Sequence, residues 1–125
     1  MNNNEQRKIL IIDDDKVFLD SIGEIFRIHN FEVFEAQTAE TGYEALVDIV
    51  PNVVLLDINL PDKNGFEVLK TIRASKTFSD MIVILITGDS AVDIDNAFDS
   101  GADDCVFKPI DVEKFILRIE KLLKK

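Results

Sequence analysis

Four short runs of aliphatic and aromatic residues constrain this chain more than anything else in it. Ile9-Leu10-Ile11-Ile12, Val53-Val54-Leu55-Leu56, Ile82-Val83-Ile84-Leu85-Ile86 and the shorter Val106-Phe107 are apolar throughout instead of alternating with polar residues. Unbroken runs of this kind suit strands covered on both faces, as in parallel sheets flanked by helices. Each run ends in residues of a different character: Asp13-Asp14-Asp15, Asp57, Thr87-Gly88 and Lys108-Pro109. Ligands of such sheets bind beyond the carboxyl ends of the strands. Carboxylates, a hydroxyl and an ammonium are therefore expected along one edge of one sheet.

Helical patterns separate the runs. After a first strand at Lys8–Ile12, the apolar residues Val17, Ile22, Ile25, Phe26 and Ile28 predict an amphipathic helix with Asp15 as its N-cap. Phe31–Glu35, with Phe31 and Val33 among acids, predicts a half-exposed second strand. A helix over Ala39–Val50 is closed by Pro51. Val53–Asp57 is the third strand, and Gly65 leads into a helix carrying Phe66, Val68, Leu69 and Ile72. Met81–Ile86 is the fourth strand, and Ala91–Ser100 a helix with Val92, Ile94, Ala97 and Phe98, capped by Gly101. A short fifth strand, Cys105–Phe107, precedes a last helix over Val112–Leu123.

Strict alternation of this kind predicts an α/β chain: (βα)5, a doubly wound, five-stranded parallel sheet with helices on both faces. Right-handed crossovers to opposite faces require the strand order to reverse near strand one, giving 2-1-3-4-5. Strands one and three then lie side by side, which brings Asp13 and Asp14 next to Asp57. No repeat or internal linker interrupts the pattern, so one domain over residues 1–125, with a core of about 8–123 and no output domain in this chain, is expected.

The formal charge of −10, from 24 acidic and 14 basic residues, opposes direct binding to nucleic acid or anionic lipid and suits cation binding. A single cysteine, Cys105, allows no internal disulfide. With no apolar run of membrane-spanning length and no signal-peptide pattern at the start, a cytoplasmic setting is the expectation.

Gathered carboxylates repel one another by roughly 2–3 kcal/mol per pair at about 6 Å and an effective dielectric near 20. A fold keeps them where a cation offsets the charge or protons are retained. Oxygen-only donors beside an open cleft favour Mg²⁺. Lys108 supplies a compact positive charge suited to a phosphate oxygen, Thr87 a hydroxyl, and Gly88 a backbone N–H that an anion can approach. Asp57 at their centre is a possible nucleophile. Together these are the parts that phosphoryl transfer requires.

The whole set resembles the receiver domain of two-component response regulators: Asp13-Asp14 after strand one, Asp57 followed by Pro61 and Gly65, Thr87-Gly88, and Lys108-Pro109, in that order on a flavodoxin-like (βα)5 pattern from Lys8 to Leu123. The resemblance implies that Asp57 is the phosphoacceptor. Asp13, Asp14, Asp57 and the backbone carbonyl of Asn59 would bind Mg²⁺, and Thr87 and Lys108 would contact the phosphoryl group. The donor would be a phosphohistidine on a sensor histidine kinase or histidine phosphotransfer protein. The domain would catalyse its own phosphorylation and dephosphorylation, with Asn59 and Asp89 tuning hydrolysis. Output would pass through a shift of the face formed by helix four, strand five and helix five to a downstream protein or effector domain, without direct nucleic-acid or membrane contact.

One position departs from that pattern. Cys105, three residues before Lys108, stands where the family usually carries Tyr, Phe or His. Either the read-out uses another residue, such as Phe98 or Phe107, or the switch is muted. By itself Cys105 reads as a small buried hydrophobe, and His29 as a complement to its helix C-terminus. The competing reading is a Mg²⁺-dependent phosphohydrolase with an aspartyl-phosphate intermediate. Such enzymes typically follow the nucleophile with a second acid two residues on, where this chain has Asn59.

Overall fold

The computed structural model describes residues 6–88 and 94–124. Five strands and five helices alternate: β1 (Arg7–Ile12), α1 (Lys16–Ile28), β2 (Phe31–Ala36), α2 (Ala39–Ile49), β3 (Val53–Asp57), α3 (Gly65–Ala74), β4 (Ile82–Thr87), α4 (Ile94–Asp99), β5 (Asp104–Phe107) and α5 (Val112–Leu123). All strand pairs are parallel, and the sheet order is β2-β1-β3-β4-β5. The predicted (βα)5 doubly wound sheet is therefore the observed fold, with β1 and β3 adjacent at the reversal.

The apolar strands serve two cores because successive side chains point to opposite faces. Ile9 and Ile11 of β1 pack with Leu19, Ile22 and Phe26 of α1 and with Phe115, Ile116 and Ile119 of α5. Leu10 and Ile12 pack on the other face with Leu46 of α2, Val68, Leu69 and Ile72 of α3, and Ala97 of α4. Residues 9–12, 53–56 and 83–86 are fully buried, which explains why these runs carry no polar residue. The edge strand β2 is only partly covered and tolerates Glu32 and Glu35.

Some helical expectations need correction. The buried stripe of α1 is Leu19, Ile22, Gly23 and Phe26, whereas Val17 and Ile28 are exposed. Leu19, Ile22 and Phe26 recur at the three- and four-residue spacing of one helix face, and Val17 and Ile28 fall off that face. Phe98 is likewise exposed on α4. Helix α2 stops at Ile49, with Val50 in a left-handed conformation (φ 48°) ahead of Pro51. Gly101 (φ 106°) ends α4 as expected: its N–H donates to Phe98 O (3.0 Å) and the Ala102 N–H to Ala97 O (3.2 Å), the two bonds of a Schellman cap. The expected positions Ala91, Val92 and Asp89 lie outside the described residues.

Gly65 fixes the segment just beyond β3. Its N–H donates to Ile58 O at 2.7 Å, and a Cβ there would meet Asp57 O at 2.5 Å and the Ile58 Cα at 2.7 Å. Both obstacles are backbone, so no side chain can swing away to make room. Gly65→Ala is expected to destabilise the domain by about 1–3 kcal/mol through overpacking, read by urea unfolding. A variant as stable as the wild type would show that this approach is not a constraint.

Candidate functional site

The carboxyl ends of β1 and β3 bring three acids together. Asp13 and Asp14 directly follow Ile12, and Asp57 is the last residue of β3, whose neighbour across the ladder is β1. One carboxylate oxygen from each of Asp13, Asp14 and Asp57 lies within 4.8 Å of the others. Asp13 and Asp57 are buried and Asp14 is exposed, so the cluster opens on one side.

The local chain holds these acids in place. The Asp13 N–H donates to Ala36 O (3.0 Å), and Asp13 Oδ1 accepts from the Asp15 N–H (2.9 Å). Asp13 Oδ2 is buried and accepts no properly directed hydrogen bond. The Lys108 ammonium stands 2.8 Å from it as an ion pair approaching off the hydrogen-bonding direction. Asp57 Oδ1 accepts from the Asn59 N–H at 3.1 Å. Asp15 takes no part in the cluster: its Oδ1 caps α1 by accepting from the Phe18 N–H at 3.2 Å.

The other predicted residues meet at the same edge. Thr87, fully buried, ends β4 one position beyond Ile86, the cross-strand partner of Asp57. The Thr87 carbonyl accepts from the Lys108 N–H at 2.8 Å, so β4 fixes where the lysine starts. The Lys108–Pro109 peptide bond is cis. Above Gly88 the space is open: among the described residues, its chain neighbours aside, no atom lies within 4 Å of where a Cβ would sit. Asn59 is exposed and bridges to Asn64 in the loop between β3 and α3.

Three features of this site were not anticipated from sequence. The close backbone approach at Gly65, itself a residue of the expected motif, is one. Asp62 is another: its carboxylate accepts from the Ala39 N–H (2.8 Å) and Glu40 N–H (3.1 Å), tying the Asn59 loop to the start of α2. Those hydrogen bonds hold its pKa below the ordinary carboxylate value. Phe18 is the third, with its ring centroid 4.2 Å from the Lys108 ammonium. An Asp after Pro61 and an aromatic in the first turn of a helix are common local features, and only the fold reveals what they touch.

Cys105 is buried in the core beside Leu85, its cross-strand partner, on the α2–α4 side of the sheet. Burial, and secondarily the Asp104 carboxylate, push its thiol pKa up, which keeps it protonated. Asp104 is itself buried and paired with Arg118 of α5.

Known proteins share this arrangement. The family model of the response regulator receiver domain matches residues 9–120. The chain is a response regulator receiver domain. The DNA-binding dual master transcriptional regulator RpaA of Synechocystis is 34% identical over 94% of this chain and 49% of its own length, so the chain spans about half of that relative. A CheY-like receiver domain protein from Methanospirillum hungatei superposes with a TM-score of 0.87 at 31% identity, covering 96% of this chain and 95% of that one. The BeF3-activated DrrB receiver domain gives 0.86 at 30% identity over 97% and 100% of the two chains. Receiver domains are phosphorylated signalling modules of two-component systems that bind Mg²⁺ at an acidic pocket and interact with histidine kinases and effector domains. The phosphohydrolase reading gains no support from these likenesses.

The receiver's acidic cluster has a titration consequence. Burial raises the Asp57 pKa, and the charges of Asp13 and Asp14 add to it; the Asn59 N–H and the Lys108 ammonium oppose them, leaving it at about 6. The folded domain thus holds this proton more tightly than the unfolded chain, where the group titrates near 3.8. Stability from this group is full below about pH 4 and is lost as pH rises towards about 6. Asp57→Asn is therefore expected to stabilise the metal-free domain at neutral pH by on the order of 2–3 kcal/mol and to change it little below about pH 4. Urea unfolding of both proteins at the two pH values measures this, and an equal difference at both would refute it.

Proposed function

We propose that this receiver domain takes a phosphoryl group onto Asp57 in a Mg²⁺-dependent reaction, from a phosphohistidine of a sensor histidine kinase or histidine phosphotransfer protein. The observation that carries the reading is the juxtaposition of three carboxylates, two of them buried, with a single lysine at the open edge of the sheet. Asp13, Asp14 and Asp57 form an oxygen-only donor set, and Asp13 Oδ2 is a buried oxygen without a directed donor, which fits a hard divalent cation. The Asn59 backbone carbonyl is a further proposed ligand. When bound, Mg²⁺ neutralises charge on the phosphoryl oxygens and on the carboxylates around them.

The residues then divide the work. An ionised Asp57 oxygen attacks phosphorus; the new O–P bond forms as the P–N bond of the donor imidazole breaks, and the imidazole leaves with the electron pair. In the metal-free domain Asp57, with a pKa of about 6, is already ionised at neutral pH, so attack needs no separate base to deprotonate it. Lys108 and the Thr87 hydroxyl bind the phosphoryl oxygens once the group is on Asp57, and Gly88 leaves room for the anion. Thr87 engagement biases the segment after β4, and so the face of α4, β5 and α5, towards the form read by a downstream protein or effector domain. With Cys105 three positions before Lys108, where a ring is usual, that bias cannot be carried by an aromatic at 105. Phe107, half-buried on the same strand, and the exposed Phe98 remain as carriers. The domain's charge of −10 assigns any nucleic-acid contact to another part of a regulator. The setting is cytoplasmic, where the donor kinase's phosphohistidine is found; among the described residues no helix is long and apolar enough to cross a membrane.

Incubation with acetyl phosphate or phosphoramidate and Mg²⁺ is expected to add one phosphoryl group by intact-mass spectrometry. Asp57→Asn should abolish the addition, and removal of Mg²⁺ should suppress it. A wild-type domain left unmodified, or an Asp57→Asn variant modified as readily, overturns the reading.

A further inference from the structure

Lys108 carries a flexible four-carbon chain whose ammonium must be delivered to one place, and its side chain is only about a quarter exposed (23%). Among the described residues two groups hold the ammonium. Asp13 Oδ2 lies 2.8 Å away, and the Phe18 ring centroid 4.2 Å away. The first anchor is shared, because Asp13 is also a proposed cation ligand and its oxygen cannot serve metal and ammonium at full strength together. The second is not shared. Phe18 is the third residue of α1, half-buried, and its N–H is fixed by the Asp15 cap at 3.2 Å, so the ring is set by the same turn that places Asp13 and Asp14. An aliphatic side chain would fill that space equally well but would offer no negative ring face.

We propose that Phe18 is a positioning residue for Lys108: its ring face keeps the ammonium at the mouth of the acidic cluster, ready to reach a phosphoryl group on Asp57. The proposal rests on the phosphoacceptor reading above. The ring's grip on the ammonium is a property of the metal-free protein as well. It gives the chain a way to retain Lys108 at the site while Asp13 is occupied.

The test compares wild type, Phe18→Leu and Phe18→Tyr. In the metal-free wild type the Lys108 side-chain protons nearest the ammonium should be shifted upfield by the ring current, a signal lost in Phe18→Leu and kept in Phe18→Tyr. With Mg²⁺ and phosphoramidate, Phe18→Leu should be phosphorylated about two- to fivefold more slowly, and Phe18→Tyr should match the wild type. An unshifted lysine in the wild type, an unimpaired Phe18→Leu, or a Phe18→Tyr as slow as Phe18→Leu overturns the proposal. Should Phe18→Leu not fold, pentafluorophenylalanine at position 18, of the same shape but reversed quadrupole, must show the same slowing. A wild type that accepts no phosphoryl group fails the functional reading itself. A phosphorylated wild type beside an unimpaired Phe18→Leu fails this proposal alone.

Discussion

Mutual repulsion of three carboxylates within 4.8 Å is the constraint on which the rest of the site depends. At that separation each pair costs roughly 3–4 kcal/mol at an effective dielectric near 20, a large sum against the 5–15 kcal/mol by which domains are typically stable. The protein offsets part of it with the Lys108 ammonium at 2.8 Å and with N–H groups aimed at Asp13 and Asp57. Burial first, and the unrelieved part of this repulsion second, raise the pKa of Asp57. On the proposed reading, a cluster left under-neutralised in this way would attract a divalent cation, and with it an anionic phosphoryl group. The energetic fault in the fold would then be the source of the proposed chemistry.

The sheet exists to hold that fault in place. Residues 9–12 and 53–56 are completely buried, so β1 and β3 cannot slip in register without moving hydrophobic side chains to the wrong face. Gly65 then presses α3 against the backbone of Asp57 and Ile58, and Asp62 ties the following loop to α2. Rigidity at the ends of the two strands keeps like charges close that would otherwise separate.

Much of this was legible in the sequence because it follows from one-dimensional signals. Unbroken apolar runs marked the buried strands, their terminal polar residues marked the edge, and the handedness of crossovers placed β1 beside β3. Helix faces were read less well: Val17, Ile28 and Phe98 are exposed, and Leu19 is in the core. Short helices contain apolar residues off their buried stripe, and spacing alone does not say which stripe the sheet selects. The contacts of Phe18 with Lys108 and of Asp62 with α2 join residues 90 and about 23 positions apart in unrelated motifs. Nothing local in either segment announces the other. Cys105 was legible as a departure, and the structure shows it buried in an apolar core, where burial pushes its thiol pKa up.

The central claim is that the under-neutralised cluster makes Asp57, and neither of its acidic neighbours, the covalent acceptor. Borohydride reduction of the freshly phosphorylated domain converts an aspartyl phosphate into homoserine at the modified position, which peptide sequencing by mass spectrometry then locates. The account predicts homoserine at position 57 alone. Homoserine at position 13 or 14, or phosphate retained on a residue that borohydride does not reduce, would contradict it.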